Sequence, residues 1–459
     1  MKQAQTPVKG ARSHAALFKA VATSSDIDAA ELESLQAQLA EVPLREIIGW
    51  VEHVPALTGA KALRMLPPQR SLAVFDVLEP GHQADIVAAL GSEKVVDYFA
   101  SIGAEDRVAL LDHLPAEIAD RLLTDLPEDD QRVTNVVLGY PKGSVGRTMS
   151  PSVPIVYPEM SVGEVVEKLR REVAELETIY TIPVVDKQRR LVGVASLRAL
   201  FAAAADQPIA EVAAEAVSVR ADEEVEPAAR WLKSSDRLAV PVVDEESRLV
   251  GIFTYDEAAG VVEREDTEDS ARVGASEPLG RPYFSTPVLQ LVRSRIVWLL
   301  VLALSATLTV QVLDVFEDTL AQAVILSLFI PLLTGTGGNT GNQAATTVTR
   351  ALALNDVHKR DIVQVMWREL RVGLMLGAAL GALGFAGASL VYGADIGVVI
   401  GATLLLVCAM SATVGGMMPI VAKVVGADPA VFSNPFISTF CDATGLIIYF
   451  FIAKAVLGL

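Results

Sequence analysis

The chain has 459 residues, 51% of them hydrophobic, and a formal net charge of −18, a balance that disfavours nucleic acid as a partner and favours cations. Its two cysteines, Cys408 and Cys441, lie in apolar segments without metal-ligand spacing, so neither a disulfide framework nor a zinc site is expected. The N-terminus lacks a basic region followed by an apolar core, which excludes a cleaved signal peptide from the expectation.

Hydropathy and charge belong to different halves. Up to about Pro287 the chain reads as acidic, amphipathic and soluble; residues 288–459 read as membrane. Residues 1–25 are expected to form a disordered or loosely helical tail. Over 26–140, apolar positions recur at helical spacing between proline-marked turns, Leu66-Pro67-Pro68, Glu79-Pro80-Gly81, Leu114-Pro115 and Leu126-Pro127, which predicts an all-α stack of short helices.

An internal repeat follows. Tyr180-Thr-Ile-Pro-Val-Val-Asp and Leu191-Val-Gly-Val recur as Leu238-Ala-Val-Pro-Val-Val-Asp and Leu249-Val-Gly-Ile, so Pro183 matches Pro241 and Gly193 matches Gly251. Each copy, 145–205 and 206–258, reads as helix, strand, polar turn, strand, helix. The repeat resembles a pair of CBS modules, an α/β regulatory domain. Such modules often bind adenine nucleotides through an Asp shortly after the second strand. The equivalent positions here are Ala199 and Glu257, which gives nucleotide binding weak support.

A connecting helix is expected over 259–287. The stretch 256–277 is crowded with Asp256, Glu257, Glu263, Glu265, Asp266, Glu268, Asp269 and Glu277 against Arg264 and Arg272. A charge run usually marks a solvated face. Packed acidic faces, however, repel unless a divalent cation bridges them.

Apolar stretches at roughly 294–316, 319–350, 370–393, 396–422 and 434–457 are each long enough to span a bilayer. Arg281, Arg293 and Arg295 precede the first, and Arg350, His358, Lys359, Arg360, Arg368 and Arg371 surround the connection from the second to the third. The connections after the first and third carry acids and no Lys or Arg. The positive-inside rule therefore puts the N-terminal half in the cytoplasm and the C-terminus outside. Lys454, near the C-terminus, is an exception to the rule and is expected to snorkel to the outer interface.

Asp442 lies within the last stretch, where a carboxylate costs about 2.5–3.5 kcal/mol on insertion scales and so needs a partner, a water path or a cation. The cores of the other spans offer no Lys or Arg to pair with it. The second stretch carries Pro331-Leu-Leu-Thr-Gly-Thr-Gly-Gly-Asn-Thr-Gly-Asn-Gln-Ala-Ala-Thr-Thr. That run reads either as close packing through small residues or as a locally irregular helix lining a polar pathway. The second reading is favoured, and a phosphate loop is excluded because no Gly-Lys-Ser/Thr follows.

The runs PLLTGTGGNTGNQAATTVTRALA and NPFISTFCDATGLIIYFFIA together resemble the membrane domain of the MgtE family of magnesium channels. The resemblance implies a homodimer of five-helix subunits with an ion path along the dimer axis, lined by the second and fifth helices. Asp442 matches the central Mg²⁺-binding aspartate, Asn434 and Asn342 match pore-lining asparagines, and Thr346 falls on the same stripe. Residues 26–138 resemble the family's N-terminal superhelical domain, and the acidic connection resembles its plug helix. Sensor acids implied by the resemblance are Glu257, Glu265, Glu268 and Asp269, with Glu224, Glu226 and Asp236 on the second module and Glu105 on the N-domain. Departures are Lys142 and Gly143 before the first module and Ala73 and Ala109 in the N-domain, where acids are usual.

The expected function is a passive Mg²⁺ channel of the plasma membrane, closed by intracellular Mg²⁺. Mn²⁺, Co²⁺ and Ca²⁺ stay open as alternative or additional ions, as do a coupled exchanger and a sensor whose membrane part is an anchor. Enzymatic activity is not expected, because no Ser/His/Asp or Cys/His constellation can be assembled.

Overall fold

The computed structural model describes residues 11–23, 29–90, 92–354, 356–426 and 434–459. The chain divides into two compact units, one running to Glu265 with Leu279–Pro287 added, the other comprising Asp266–Pro278 and Val288–Leu459.

The first unit opens with short helices: α1 (Ala11–Thr23), α2 (Ala29–Glu41), α3 (Leu44–Val51), α4 (Ala56–Met65), α5 (Pro68–Phe75), α6 (Pro80–Leu90), α7 (Ser92–Ser101), α8 (Ala104–Leu111), α9 (Ala116–Asp125) and α10 (Glu128–Leu138). Proline sets their rhythm: Pro43, Pro55, Pro67, Pro115 and Pro127 each occupy an N-cap position. Each lacks a backbone N–H and disfavours helical conformation in the residue before it, so it marks the start of the next helix, directly after the previous one at Pro43, Pro67 and Pro127 and after a short turn at Pro55 and Pro115. The apolar stripes of most of these helices meet in a core around Leu39, Ile47, Val51, Phe75, Ile86 and Phe99, while Ala104 and Val108 of α8 and Val137 of α10 form a smaller one. Leu17 and Val21 of α1 join that core, and Phe18 stacks on Trp50. Within the tail expected to be disordered or loosely helical, the described residues Ala11–Thr23 are helical.

The repeat follows as α11 (Val145–Thr148), α12 (Val162–Glu172), β1 (Thr181–Val185), β2 (Leu191–Ser196), α13 (Leu197–Ala202), α14 (Ile209–Val212), β3 (Val219–Arg220), α15 (Val225–Ser234), β4 (Ala239–Val243), β5 (Leu249–Thr254) and α16 (Tyr255–Val273). β1 and β2 pair antiparallel with Pro183 opposite Val194, and β4 and β5 pair the same way with Pro241 opposite Ile252. Asp186 and Asp244 close equivalent turns. Each carboxylate accepts hydrogen bonds from backbone N–H groups two and four residues on, Gln188 and Arg190 in one copy, Glu246 and Arg248 in the other. The two hairpins meet tip to tip, with Leu191 N–H donating to Ser247 O and Leu249 N–H donating to Arg189 O.

The second unit contains α17 (Val288–Val315), α18 (Glu317–Gln322), a 3-10 turn at Val324–Phe329, α19 (Ile330–Ala353), a 3-10 turn at Lys359–Asp361, α20 (Ile362–Tyr392), α21 (Ala394–Val424) and α22 (Asn434–Leu457). Among the described residues, five segments are long and apolar enough to cross a membrane. α21 is the central helix, packed against α19, α20 and α22. Glycines bring the backbones together: a Cβ on Gly373, Gly377 or Gly381 of α20 would press into backbone oxygens of Cys408, Leu405 or Gly401 on α21, the small-residue packing that membrane helices use.

The expectation of an irregular second span is overturned. α19 is continuous through the whole Gly/Thr/Asn run, and the irregular backbone lies ahead of it at Val324–Phe329. The threonines of the run satisfy their hydroxyls within the helix: Thr334, Thr336 and Thr340 each donate to the carbonyl one turn back. The glycines provide close approach to neighbours. A Cβ on Gly337 would meet Val407, one on Gly341 would meet Ile437 and Cys441, and one on Gly415 would run into the Gly341 carbonyl.

Gly415→Val should therefore separate α21 from α19 at a cost of about 1–3 kcal/mol or more, read as loss of monodisperse protein on size exclusion and a lower melting temperature. Gly387→Val, at a position with nothing within 4 Å of a Cβ, should behave as the parent. Equal behaviour of the two variants would refute this account of the packing.

Candidate functional site

In the second unit, α19 and α22 form a polar seam. Gly338, Asn342 and Thr346 recur one turn apart on α19, and Ser438 and Asp442 lie one turn apart on α22. Asn342 Nδ2 donates to Ser438 Oγ at 3.0 Å. One turn further along, the Asp442 carboxylate lies over Gly338, its Oδ1 3.8 Å from where a Cβ would be. Glycine leaves room for the carboxylate there.

Asn342 Oδ1 is buried without a hydrogen-bond partner, which is costly for an amide oxygen unless an external donor completes it. Among the described residues no Lys, Arg or His forms an ion pair with Asp442. The seam thus offers a carboxylate, an amide oxygen and a hydroxyl, the hard oxygen donors that suit a hydrated divalent cation. Thr346 continues the α19 stripe and is exposed. The side chain of Asn434 lies outside the described residues; its backbone begins α22.

The first unit gathers a second set of acids from three places in the chain. Glu105 on α8 is buried and its Oε2 has no partner. Burial, with the charges of Glu177, Asp106 and Glu257, pushes its carboxyl up to about 8. Glu257 on α16 is likewise pushed up to about 8 by burial, then by Asp106, with Arg264 opposing. Asp106 rises to about 6 through burial, Asp76 and Glu177, again against Arg264. Glu177 is raised by burial and Asp256, and Asp76 by burial. Among the described residues no group of three or more His, Cys, Asp or Glu side chains converges tightly enough to hold a metal ion. The cluster therefore concentrates negative charge without forming a closed ligand shell.

The other expected sensor acids are placed differently. Glu224 and Asp236 are exposed on either side of α15, and Glu226 pairs with Arg230 at 2.8 Å. Glu268 pairs with Arg272 one turn on, while Glu265 and Asp269 lie on the same helix, half-buried. Of the two positions equivalent to the nucleotide-binding Asp, Ala199 carries no carboxylate and follows Ser196, whose Oγ caps its N–H. Glu257 faces the acidic cluster.

Comparison with known proteins follows the same division. A profile of the MgtE divalent cation transporter domain matches residues 330–452, one of the MgtE intracellular N domain matches 43–143, and one of the CBS domain matches 143–206. The chain is 33% identical over 447 residues to the magnesium transporter MgtE of Thermus thermophilus, covering 95% of this chain and 98% of that protein. The chain belongs to the MgtE family. It is also 30% identical to the magnesium transporter MgtE of Bacillus subtilis, over 88% of this chain and 90% of that one. Among solved structures, the cytosolic domain of the Mg²⁺ channel MgtE in complex with ATP is 31% identical with a TM-score of 0.47, covering 50% of this chain and 94% of that one. The architecture is MgtE-like: a helical N-domain, a CBS pair with small sheets, and a C-terminal region with apolar helices.

Sequence reasoning missed Ser438 and Gly338 in the seam and Asp76, Asp106 and Glu177 in the cluster. Ser438 was available from the i−4 spacing to Asp442. Asp76 and Asp106 each lie three residues from Ala73 and Ala109, the positions where the MgtE resemblance leads one to expect acids.

These carboxyls give the first unit a definite pH response. Their folded pKa values lie above their unfolded ones, near 4.5 for Glu105 and Glu257, so the folded state holds more protons. Its stability is then fullest below the unfolded values and is lost as pH rises through the folded ones. In chelator, the melting temperature of the soluble half should fall as pH climbs from about 6 to about 8, and millimolar Mg²⁺ should restore it most at the alkaline end. A melting temperature flat across that window would show that the cluster is solvated and ionised throughout.

Proposed function

We propose that the chain is a Mg²⁺-selective channel. It works as a homodimer in the plasma membrane, passes Mg²⁺ passively, and is closed by intracellular Mg²⁺ at the acidic faces of its cytoplasmic half. The observation that carries this reading is the Asp442 carboxylate over Gly338, beside the unpartnered Asn342 oxygen. The relatives, named as magnesium transporters, support it.

Mg²⁺ keeps most of its waters and is usually held by one or two carboxylates through them. In a symmetric dimer, two copies of Asp442 meet across the axis and supply that charge. Asn342, Ser438, Thr346 and Asn434 accept hydrogen bonds from the ion's water shell. The distribution of Arg and Lys between connections sets the orientation, with the N-terminal half cytoplasmic and the C-terminus outside.

Closure uses the cytoplasmic half. Glu105, Glu257 and their neighbours repel one another, and a divalent cation among them offsets that repulsion, stabilising the compact state. Glu224, Glu226, Asp236, Glu265, Glu268 and Asp269 add to the acidic faces from α15 and α16.

Reconstitution in proteoliposomes tests the reading. The intact protein should take up Mg²⁺ down its gradient with no added energy source, and Mn²⁺, Co²⁺ and Ca²⁺ in competition should rank its selectivity. Absence of any divalent flux from folded, reconstituted dimer would leave the membrane half as an anchor for a sensor.

A further inference from the structure

The segment Leu279–Pro287, just before α17, belongs to the first unit. It is seated there by three contacts to the N-domain. Arg281 Nη1 pairs with Asp85 Oδ2 of α6 at 2.6 Å, and Arg281 Nε is buried. The Gly280 carbonyl lies where a Cβ on Gly81 of α6 would stand, and Gly280 itself has φ +61°. Phe284 meets His53, the ring centroids 6.2 Å apart.

The contact demands particular residues. A side chain at position 81 would displace the strap, and one at 280 would be strained by the left-handed backbone. An arginine whose guanidinium is paired and partly buried is worth more than a surface ion pair, because removing its partner leaves a desolvated charge. Nothing in the helical packing of α6 itself requires Gly81, which occupies the first turn, where alanine would favour the helix by up to about 1 kcal/mol.

We propose that Leu279–Pro287 is a latch by which the N-domain holds the chain immediately ahead of the first membrane span. The N-domain then acts on α17 directly, through Arg281 and Gly280, as well as through the CBS modules. A ligand that moves or fixes the N-domain is thereby read out by the membrane half, since the strap continues covalently into α17. The geometry of the latch stands on the contacts above; its consequence for flux rests on the transport reading.

The full-length protein carrying Asp85→Cys and Arg281→Cys tests it. The two native cysteines, Cys408 and Cys441, are buried, so a short bis-maleimide, which spans the gap that an arginine–aspartate pair leaves between backbones and a disulfide does not, should link the introduced pair, identified by mass spectrometry of tryptic peptides. It should run as a monomer on a denaturing gel. Gly81→Ala added to the pair should abolish the cross-link while leaving the N-domain folded by circular dichroism. Absence of the cross-link in folded protein, or its appearance only between two chains, would overturn the latch.

In liposomes, Arg281→Glu should raise the Mg²⁺ concentration for half-closure by about fivefold or more, and Asp85→Lys added to it should return that concentration toward the parent's. An unchanged midpoint in Arg281→Glu would likewise overturn the proposal. A cross-link that forms in a protein without any Mg²⁺ flux would support the latch and defeat the transport reading instead.

Discussion

Asp442→Ala and Asp442→Asn should each reduce Mg²⁺ flux by about a hundredfold or more, equivalent to roughly 2.7 kcal/mol, while the protein still folds and assembles. Both changes remove a formal negative charge from a site whose remaining donors, Asn342 and Ser438, are neutral. A divalent ion in a low-dielectric path depends on that charge far more than on any single dipole. Asn is the stricter variant, since it keeps the shape over Gly338 and changes only the charge.

Asn342→Ala and Asn434→Ala should reduce flux by about tenfold or less, the scale of one lost hydrogen bond to the water shell. Stopped-flow uptake with a Mg²⁺-sensitive dye in proteoliposomes measures all four. Parental flux through a folded Asp442→Asn dimer would remove Asp442 from the ion path, and a larger defect at Asn434 than at Asp442 would reverse the ranking.

Removing residues up to Gly274 should leave a membrane protein that conducts Mg²⁺ but no longer closes as internal Mg²⁺ rises. The cut keeps the residues that anchor the start of the first span: Glu277 N–H donates to Ser294 O, and Trp298 Nε1 donates to Glu277 Oε1 at 2.8 Å. It also keeps the entire α19–α22 seam. It removes Glu105, Asp106, Glu177, Glu257 and the acidic turns of α16, the residues at which the proposed gating binds Mg²⁺ differentially in the two states. Patch-clamp recording in membranes containing the truncated chain reads the outcome. Retained block by internal Mg²⁺ would place the inhibitory site within the spans.

The sequence alone determined the elements whose cause is local. Proline positions marked the short helices of the N-domain because a residue without an N–H, and with a fixed φ, suits a helix start and disfavours helix in the residue before it; Pro419, by contrast, lies inside α21. The duplicated Pro-Val-Val-Asp and Leu-Val-Gly runs fixed the paired hairpins, since the same residues in the same order adopt the same register and the same Asp-closed turn. Runs of some twenty apolar residues marked the spans, and a carboxylate within the last marked Asp442 as the residue to explain.

Only the tertiary structure decided what depended on neighbours. That Gly335 to Asn342 stay helical is against their propensities; Val407, Ile437 and Cys441 lie where Cβ atoms on Gly337 and Gly341 would reach, so close packing of neighbouring helices holds the run. Ser438 acquired its place from the hydrogen bond to Asn342 across 96 residues of chain. Asp76, Glu105, Glu177 and Glu257 are scattered in sequence and surrounded by other acids, so composition could not separate them from solvated surface charge. Folding brings them together, with Glu105 buried, Glu257 half-buried and Asp76 and Glu177 still exposed, and it is lost hydration, more than the number of acids, that raises the carboxyl pKa values of Glu105 and Glu257.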